Sequence, residues 1–374
     1  MGGRRADERR LRDAVARVMV VFGGRSGEHE VSIASARAVA DALHGSGRHE
    51  VLPVGITREG AWISSGDPMR ELESRSRESA GFFPPLEHSH KSFTKLVVPA
   101  SESLPANLDD VDVVFPVLHG PYGEDGTIQG VLEIAGVPYV GSGVLASAAG
   151  MDKVTMKKVF AFHALPQVSW LGIYRKEWEG DRRRRIGEIE TALGYPCFVK
   201  PSNLGSSVGI NRATNAEELA EALDAAAVLD RRIIVEEGVD AREIEVSVLG
   251  NEEPEVSVPG EIVVTGQEFY DYEAKYTEGG MELNAPASLS EETLTEVHRI
   301  ARTAYTAIDA AGMARVDFFL ERGTGRVLLN EINTIPGFTP TSVYPKLWAA
   351  SGLPYEELLD RLIRLALERH GASS

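Results

Sequence analysis

The apolar run Val18–Phe22 leads into Gly23-Gly24-Arg25-Ser26-Gly27, then into an alanine-rich stretch from about Val31 to Leu43, then into a second apolar run, Val51–Ile56. A buried strand, a glycine turn, a helix and another strand make a βαβ unit, whose strands run parallel with the helix packed on one face. This opening excludes an all-α or all-β architecture for the first part of the chain and predicts an α/β fold. With 374 residues, 43% of them apolar, the chain can bury more than one core, so a multidomain enzyme is the starting expectation.

Charge and composition narrow the function classes. A net charge of −17 opposes binding to nucleic acid or to an anionic membrane, although local lysines and a metal can still hold ATP. The single cysteine, Cys197, excludes an internal disulfide and fits a reducing compartment. It has no histidine near it in sequence, which argues against a nucleophile. No run approaches the roughly 18 apolar residues of a membrane span. Met1 to Arg17 mixes Arg with Asp and Glu and lacks the apolar stretch of a signal peptide, so it reads as a helical extension of a cytoplasmic protein.

Further along, residues 66–107 shift to Ser, Glu, Pro and Lys and read mostly as an elaboration or surface loops, in which His88 and His90 are solvated. Strand Val111–Leu118 delivers His119-Gly120, and a helix follows near Thr127–Ala135. A segment opening at Gly141–Gly143 carries a helix to about Ala164. Then come strand Cys197–Lys200, a Gly/Ser turn, another strand, a helix over Ala216–Ala227 and strand Ile233–Glu236, which exits at Gly238. An antiparallel sheet and a final amphipathic helix, Tyr355–His370, complete the chain. The expected domains are an extension over 1–17, a substrate-binding α/β domain over 18–141, a central domain over 142–240 and a C-terminal domain over 241–374.

Two motifs are set aside. Gly141-Ser142-Gly143-Val144-Leu145-Ala146 matches G-x-G-x-x-A, but the second strand ending in an acid that would hold a ribose is missing. No G-x-x-x-x-G-K-[ST] occurs. A different phosphate cradle is present: Phe198-Val199-Lys200-Pro201 ends a strand with a lysine, and the loop Ser202–Gly209 offers amides and hydroxyls to an anion.

Arg315–Leu320 and Leu328–Asn333 read as two strands joined at Arg322–Arg326. A three-residue loop, Gly323–Gly325, sets Asp317 opposite Glu331 and Arg315 opposite Asn333 on one face. Facing carboxylates repel unless a cation lies between them, and carboxylate and amide oxygens are hard donors that suit Mg²⁺ shared with substrate phosphates. Pro336-Gly337-Phe338-Thr339 follows at once, so the Gly337 amide and Arg315 form a candidate donor pair for an oxyanion.

Taken in order, these stretches resemble the D-alanine–D-alanine ligases of the ATP-grasp superfamily. The matching segments are Gly23–Ser32, Leu118-His119-Gly120 with Gly123-Glu124-Asp125-Gly126, Met151-Asp152-Lys153, Gly205–Gly209, Phe269–Tyr276 and Asn330–Gly337. The resemblance runs from Val18 to the last helix. It implies an ATP-grasp fold preceded by a parallel-sheet domain, three domains in all, with ATP between the second and third. Lys153 and Lys200 would hold phosphates, with Ser206, Ser207 and Asn330 among the ATP contacts. Glu236, Glu237, Val239 and Glu243 would line adenine and ribose. Asp317, Glu331 and Asn333 would carry two Mg²⁺, for which Mn²⁺ can substitute, with K⁺ as an optional further cation.

On the same resemblance Glu28 would hold the ammonium of the first D-alanine, His119 would orient it, and Ser342 with Val343 would bind the acceptor. Ser206 and Tyr276 would close a lid, Tyr270–Glu278, whose Lys275 reaches the γ-phosphate. Arg315 and the Gly337 amide would steady the tetrahedral intermediate. The implied activity is ATP-dependent joining of two D-alanines through an acyl phosphate, for peptidoglycan precursors, in a cytoplasmic homodimer. Alternatives are a D-alanine–D-lactate or D-alanine–D-serine ligase, or a catalytically silent nucleotide-binding module. Arg182–Arg185 matches nothing with a role.

Overall fold

A computed structural model describes residues 15–78, 108–264 and 281–373, and these fall into two compact units, the described residues up to 144 with those from 335 on, and the described residues between 145 and 334. In the first unit, β1 (Ala16–Gly23), β2 (His49–Ile56), β3 (Trp62–Ile63) and β4 (Val113–Val117) make a sheet in the order β3-β2-β1-β4. β1 pairs in parallel with both β2 and β4, as the βαβ opening predicts. β1 lies in the middle with both faces covered, which is why it reads as an unbroken apolar run. Helix α1 (His29–Ser46) buries Ile33, Ala36, Val39 and Leu43 and ends at Gly47 in the left-handed conformation.

The Ser/Glu-rich stretch is not all loop. Helix α2 spans Pro68–Glu78, anchored by the buried pair Met69 and Leu72. Two apolar residues in eleven are too few to give a helical period in the sequence. His88 and His90 lie outside the described residues. Helix α3 (Thr127–Ala135) has the expected bounds. Helices α10 (Val343–Ala350) and α11 (Tyr355–Ser373) belong to this unit, and Tyr355 donates its hydroxyl to the Phe338 carbonyl at 2.6 Å.

The second unit begins within α4 (Val144–Met151), and a helix predicted as continuous to Ala164 breaks at Asp152. The Asp152 side chain caps α5 (Lys153–Phe162) by accepting from the Thr155 amide at 2.7 Å. One sheet runs in the order β5-β8-β6-β7, from β5 (Trp170–Tyr174), β6 (Cys197–Pro201), β7 (Asn211–Ala213) and β8 (Arg232–Glu237). Helices α6 (Arg175–Gly180), α7 (Arg182–Ala192) and α8 (Ala216–Leu229) accompany it. Trp178, Ile189, Leu219 and Leu223 bury into its core.

The other sheet runs β12-β11-β9-β13-β14, with β10 on β9. Its strands are β9 (Ala241–Gly250), β10 (Glu255–Val256), β11 (Gly260–Val264), β12 (Met281–Asn284), β13 (Gly312–Glu321) and β14 (Val327–Asn333). All pairings are antiparallel. Helix α9 (Glu291–Ala307) lays Val297, Ile300, Ala301 and Ala304 on it. No helix among the described residues is long and apolar enough to cross a membrane.

Candidate active site

The hairpin β13–β14 carries the hard oxygen donors of the candidate site. Asp317 faces Glu331 and Arg315 faces Asn333, as the sequence predicts, but by a different route. The connection is the four residues Arg322–Gly325, closed by a bond from the Glu321 amide to the Arg326 carbonyl at 2.9 Å. Leu320 therefore pairs with Val327, and a one-residue shift between Asp317 and Phe318 restores the register. The bulged residue is Asn330, which has no facing partner on β13.

On the other side of β13, Asp317 faces Glu245, so three neighbouring strands carry a carboxylate in one row. Arg315 runs through this row. Its Nε and Nη2 donate to the two Asp317 oxygens, each at 2.7 Å, and its Nε lies 2.9 Å from Glu245 Oε2. Asn333 Nδ2 donates to Asp317 Oδ2 at 3.0 Å. Burial alone would lower the Arg315 pKa, but Asp317 and Glu245 raise it well above its ordinary value, so the guanidinium is a fixed positive charge. Two facing carboxylates and an adjacent amide oxygen are a hard donor set that fits Mg²⁺. No group of three or more His, Cys, Asp or Glu is placed to hold a metal among the described residues.

Lysines converge beside that row. α5 projects Lys153, whose Nζ donates to the Leu204 carbonyl at 2.9 Å and lies 3.6 Å from Glu331 Oε2. Lys200 at the end of β6 donates to Glu236 Oε2 at 2.5 Å, and Lys157, one turn after Lys153, lies 3.0 Å from Glu236 Oε1. All three members of the last cluster are buried. Burial penalises the Glu236 carboxylate, yet Lys157 and Lys200 together hold its pKa down to about 2. At Lys200 the penalty of burial is outweighed by the Glu236 charge, which raises its pKa, whereas at Lys157 burial prevails and lowers it.

The loop after β6 is strained where a ligand-gripping turn would be. Ser206 and Ser207 have φ of 50° and 58°, values that L residues seldom adopt. Gly209 completes the turn at φ 75°, and a Cβ there would stand 2.5 Å from Leu229 and 2.9 Å from Pro201. Of the residues assigned to the purine and ribose, Glu236 and Glu237 end β8 and Val239 follows, while Glu243 lies on β9. Glu237 accepts from the Ser169 amide at 2.7 Å. Lys275, Tyr276 and the rest of Tyr270–Glu278 lie outside the described residues.

The first unit gathers a second set. The turn after β1 is tied to the sheet by the Gly24 amide on the Ile56 carbonyl at 2.8 Å and by Ser32, which accepts from the Gly23 amide at 2.8 Å and donates to the Val117 carbonyl. Glu28 precedes α1, and its Oε2 is so close to Gly120 that a Cβ there would lie 2.9 Å from it, at a φ of +74°. His119 is 4% exposed; its Nδ1 is 3.1 Å from the Ile335 carbonyl, and its Nε2 has no hydrogen-bond partner among the described residues. Burial lowers its pKa against the pull of Glu28 and of that carbonyl, which favours the neutral ring. Ser342 precedes α10; its Oγ accepts from the Thr339 amide at 3.1 Å. The turn holding Gly337 is pinned by the Phe338 ring, packed on Phe115, Tyr344 and Tyr355 with centroids 5.5 to 6.0 Å apart. Phe338 also donates its amide to Ser35 Oγ at 3.3 Å.

Family models described as the D-ala D-ala ligase N-terminus and C-terminus match residues 17–142 and 159–364. A D-alanine–D-alanine ligase of Heliobacterium modesticaldum is 51% identical over 360 residues, covering 94% of this chain and 95% of that one. The chain belongs to the D-alanine–D-alanine ligase family. Another ligase of the same name, from Bacillus cytotoxicus, is 48% identical over 352 residues, covering 94% of this chain and 95% of its own. Among solved structures, the D-alanine–D-alanine ligase from Coxiella burnetii superposes with a TM-score of 0.77 at 33% identity, over 96% of both chains. The VanG D-Ala:D-Ser ligase from Enterococcus faecalis gives 0.77 at 35% identity, over 94% of this chain and 99% of that one. The fold is thus that of the ATP-grasp ligases.

Three polar residues beside these lysines and acids have no role assigned to them by the sequence alone. Lys157 follows Lys153 by four residues, a helical spacing that could have pointed to it. Asp152 follows the pattern of a helix N-cap; besides capping α5 it accepts from Asn203 at 2.9 Å and from Arg232 at 2.8 Å. Glu245 could not be found, because only the β9–β13 register brings it to Arg315.

Proposed function

We propose that this chain is an ATP-dependent ligase that joins two D-alanines into D-alanyl-D-alanine through an acyl phosphate, releasing ADP, for peptidoglycan precursors. The observation that carries the reading is the facing pair Asp317 and Glu331, with Asn333 bonded to Asp317 and Lys153 and Lys200 nearby, in a chain about half identical to ligases so named.

A carboxylate is inert toward amines until one of its oxygens is phosphorylated. Lys153 and Lys200 neutralise phosphate charge, and the turn around Ser206 and Ser207 offers further donors. Glu236, Glu237, Val239 and Glu243 receive the purine and ribose, and Asn330 adds a contact at its bulge. Mg²⁺, held by Asp317, Glu331 and Asn333, would supply charge neutralisation as the phosphoryl group moves. Glu28 holds the ammonium of the first D-alanine, and neutral His119 orients it without adding charge. The acceptor carboxylate rests at Ser342 and Val343. When its amine attacks the acyl carbon, the guanidinium of Arg315 and the Gly337 amide stabilise the oxyanion, and phosphate leaves. Lys275 and Tyr276, which lie outside the described residues, are assigned to the γ-phosphate and to excluding water from the acyl phosphate.

We assign the enzyme to the cytoplasm as a homodimer, with Mn²⁺ able to replace Mg²⁺ and K⁺ as a further cation. We keep domain limits at 142–240 and 241–374; the two separate sheets of residues 145–334 support the limit near 240, whereas residues 335–374 group with the first unit. A coupled ADP-release assay with D-alanine, D-lactate and D-serine as acceptors tests the reading. Release that requires D-alanine and yields the dipeptide supports it; release independent of D-alanine, or faster with D-lactate or D-serine, overturns it.

A further inference from the structure

Lys157 is a buried lysine for which the reaction above has no use. It lies on the same face of α5 as Lys153, is 1% exposed, and is flanked by the core residues Met156 and Phe160. Gln167 anchors its backbone carbonyl at 3.2 Å. Its Nζ is 3.0 Å from Glu236 Oε1, while Lys200 Nζ is 2.5 Å from Oε2, so one buried carboxylate is gripped at both oxygens by different lysines. A carboxylate in such a place needs a cation at all times, because leaving it unpaired is far more costly than never having buried it.

Lys200 cannot serve as that cation and also neutralise a phosphate with its full charge. We infer that Lys157 is a positioning residue of the nucleotide site, the standing counter-ion of Glu236 that frees Lys200 to bind phosphate. The inference rests on the nucleotide reading of Lys200 and Glu236. It explains why two lysines, and not one, meet a single acid. With Lys157 in place, Glu236 keeps its charge and its orientation whichever partner Lys200 takes.

Calorimetric titration with ADP in the presence of Mg²⁺ on the intact enzyme, together with KM values for ATP and D-alanine, tests this. K157M should weaken ADP binding about tenfold or more and raise the ATP KM to match, with the D-alanine KM within about twofold of wild type. K157R keeps the charge and should stay within about threefold of wild type. A purely structural role predicts the reverse ranking, since Met follows the aliphatic stem of lysine and Arg overfills the site; that result overturns the inference. If K157M does not fold, K157M/E236Q still decides, because a neutral amide needs no counter-ion. The double variant should bind ADP no worse than E236Q alone, and binding clearly weaker than that of E236Q would refute the coupling. K200A separates the two levels. K200A weakened with K157M unaffected overturns this inference alone, whereas neither affected overturns the nucleotide reading as well.

Discussion

Replacing Glu331 with Gln removes one negative charge and almost no volume, and the structure sets the scale of both consequences. Glu331 lies opposite Asp317, its side chain 23% exposed, and its ion pair with Lys153 is long at 3.6 Å. A pair of that kind contributes about 0–1 kcal/mol to stability. For a unit of this size that corresponds to a fall in Tm of about 4 °C at most. The chemical cost is of another order. One of the two anionic ligands proposed for the cation is lost, and charge stabilisation by a metal supplies several kcal/mol in phosphoryl transfer. A loss of about 4 kcal/mol corresponds to about a thousandfold in rate. ADP release at saturating ATP, D-alanine and Mg²⁺ should therefore fall about a thousandfold in E331Q while thermal unfolding barely moves. Asp317→Asn is a poorer probe, because it replaces one of the two oxygens that accept from Arg315 at 2.7 Å with a donor and so confounds fold with chemistry. Activity of E331Q within about tenfold of wild type at an unchanged Tm would refute the ligand assignment, and a Tm drop beyond about 10 °C would move Glu331 from the chemistry to the fold.

Other perturbations probe the remaining residues. Lys200→Ala should raise the KM for ATP by at least about tenfold and leave the KM values for D-alanine within a factor of about two, since it deletes one charged contact to phosphate; the opposite split in steady-state kinetics would show that the nucleotide is misplaced. Gly120→Ala sets a Cβ against Glu28 Oε2 at a positive φ, so the KM for the first D-alanine should rise more than about tenfold while circular dichroism stays native, an expectation based on strain of about 1–3 kcal/mol. His119, His29 and His298 all have pKa values lowered chiefly by burial. Unfolding raises each toward about 6.5, so the unfolded chain binds more protons below that pH and stability is lost as pH falls through the window beneath it. The drop in Tm on acidification from about pH 7.5 to about pH 5.5 should be smaller in His119→Gln than in wild type; an equal drop would mean that His119 is protonated in the native state.

How much is legible varies with the length scale of the cause. The βαβ opening and the bounds of α3 follow from local pattern, and the structure has them. The facing of Asp317 and Glu331 follows in the sequence from a three-residue loop that does not exist; the four-residue loop and the bulge at Asn330 offset each other by one residue. Parity, which the buried face enforces, is readable, whereas the bulge is not, because no residue type marks it. The break at Asp152 carries an N-cap signal, masked within a long lysine-rich run. Helix α2 is hidden by its polarity. Lys157 and Glu245 owe their partners to packing between elements far apart in sequence, which no local rule reports.

The claim on which the account depends is that one D-alanine carboxylate is phosphorylated before the amide bond forms. D-Alanine labelled with ¹⁸O in its carboxylate, turned over with unlabelled ATP, tests it by mass spectrometry of the phosphate. A carboxylate oxygen that attacks the γ-phosphorus stays with the phosphate when the acceptor amine displaces it. The account predicts ADP, dipeptide and phosphate in equal amounts, with one ¹⁸O atom carried into each phosphate. Unlabelled phosphate, or AMP and pyrophosphate in place of ADP and phosphate, would contradict it.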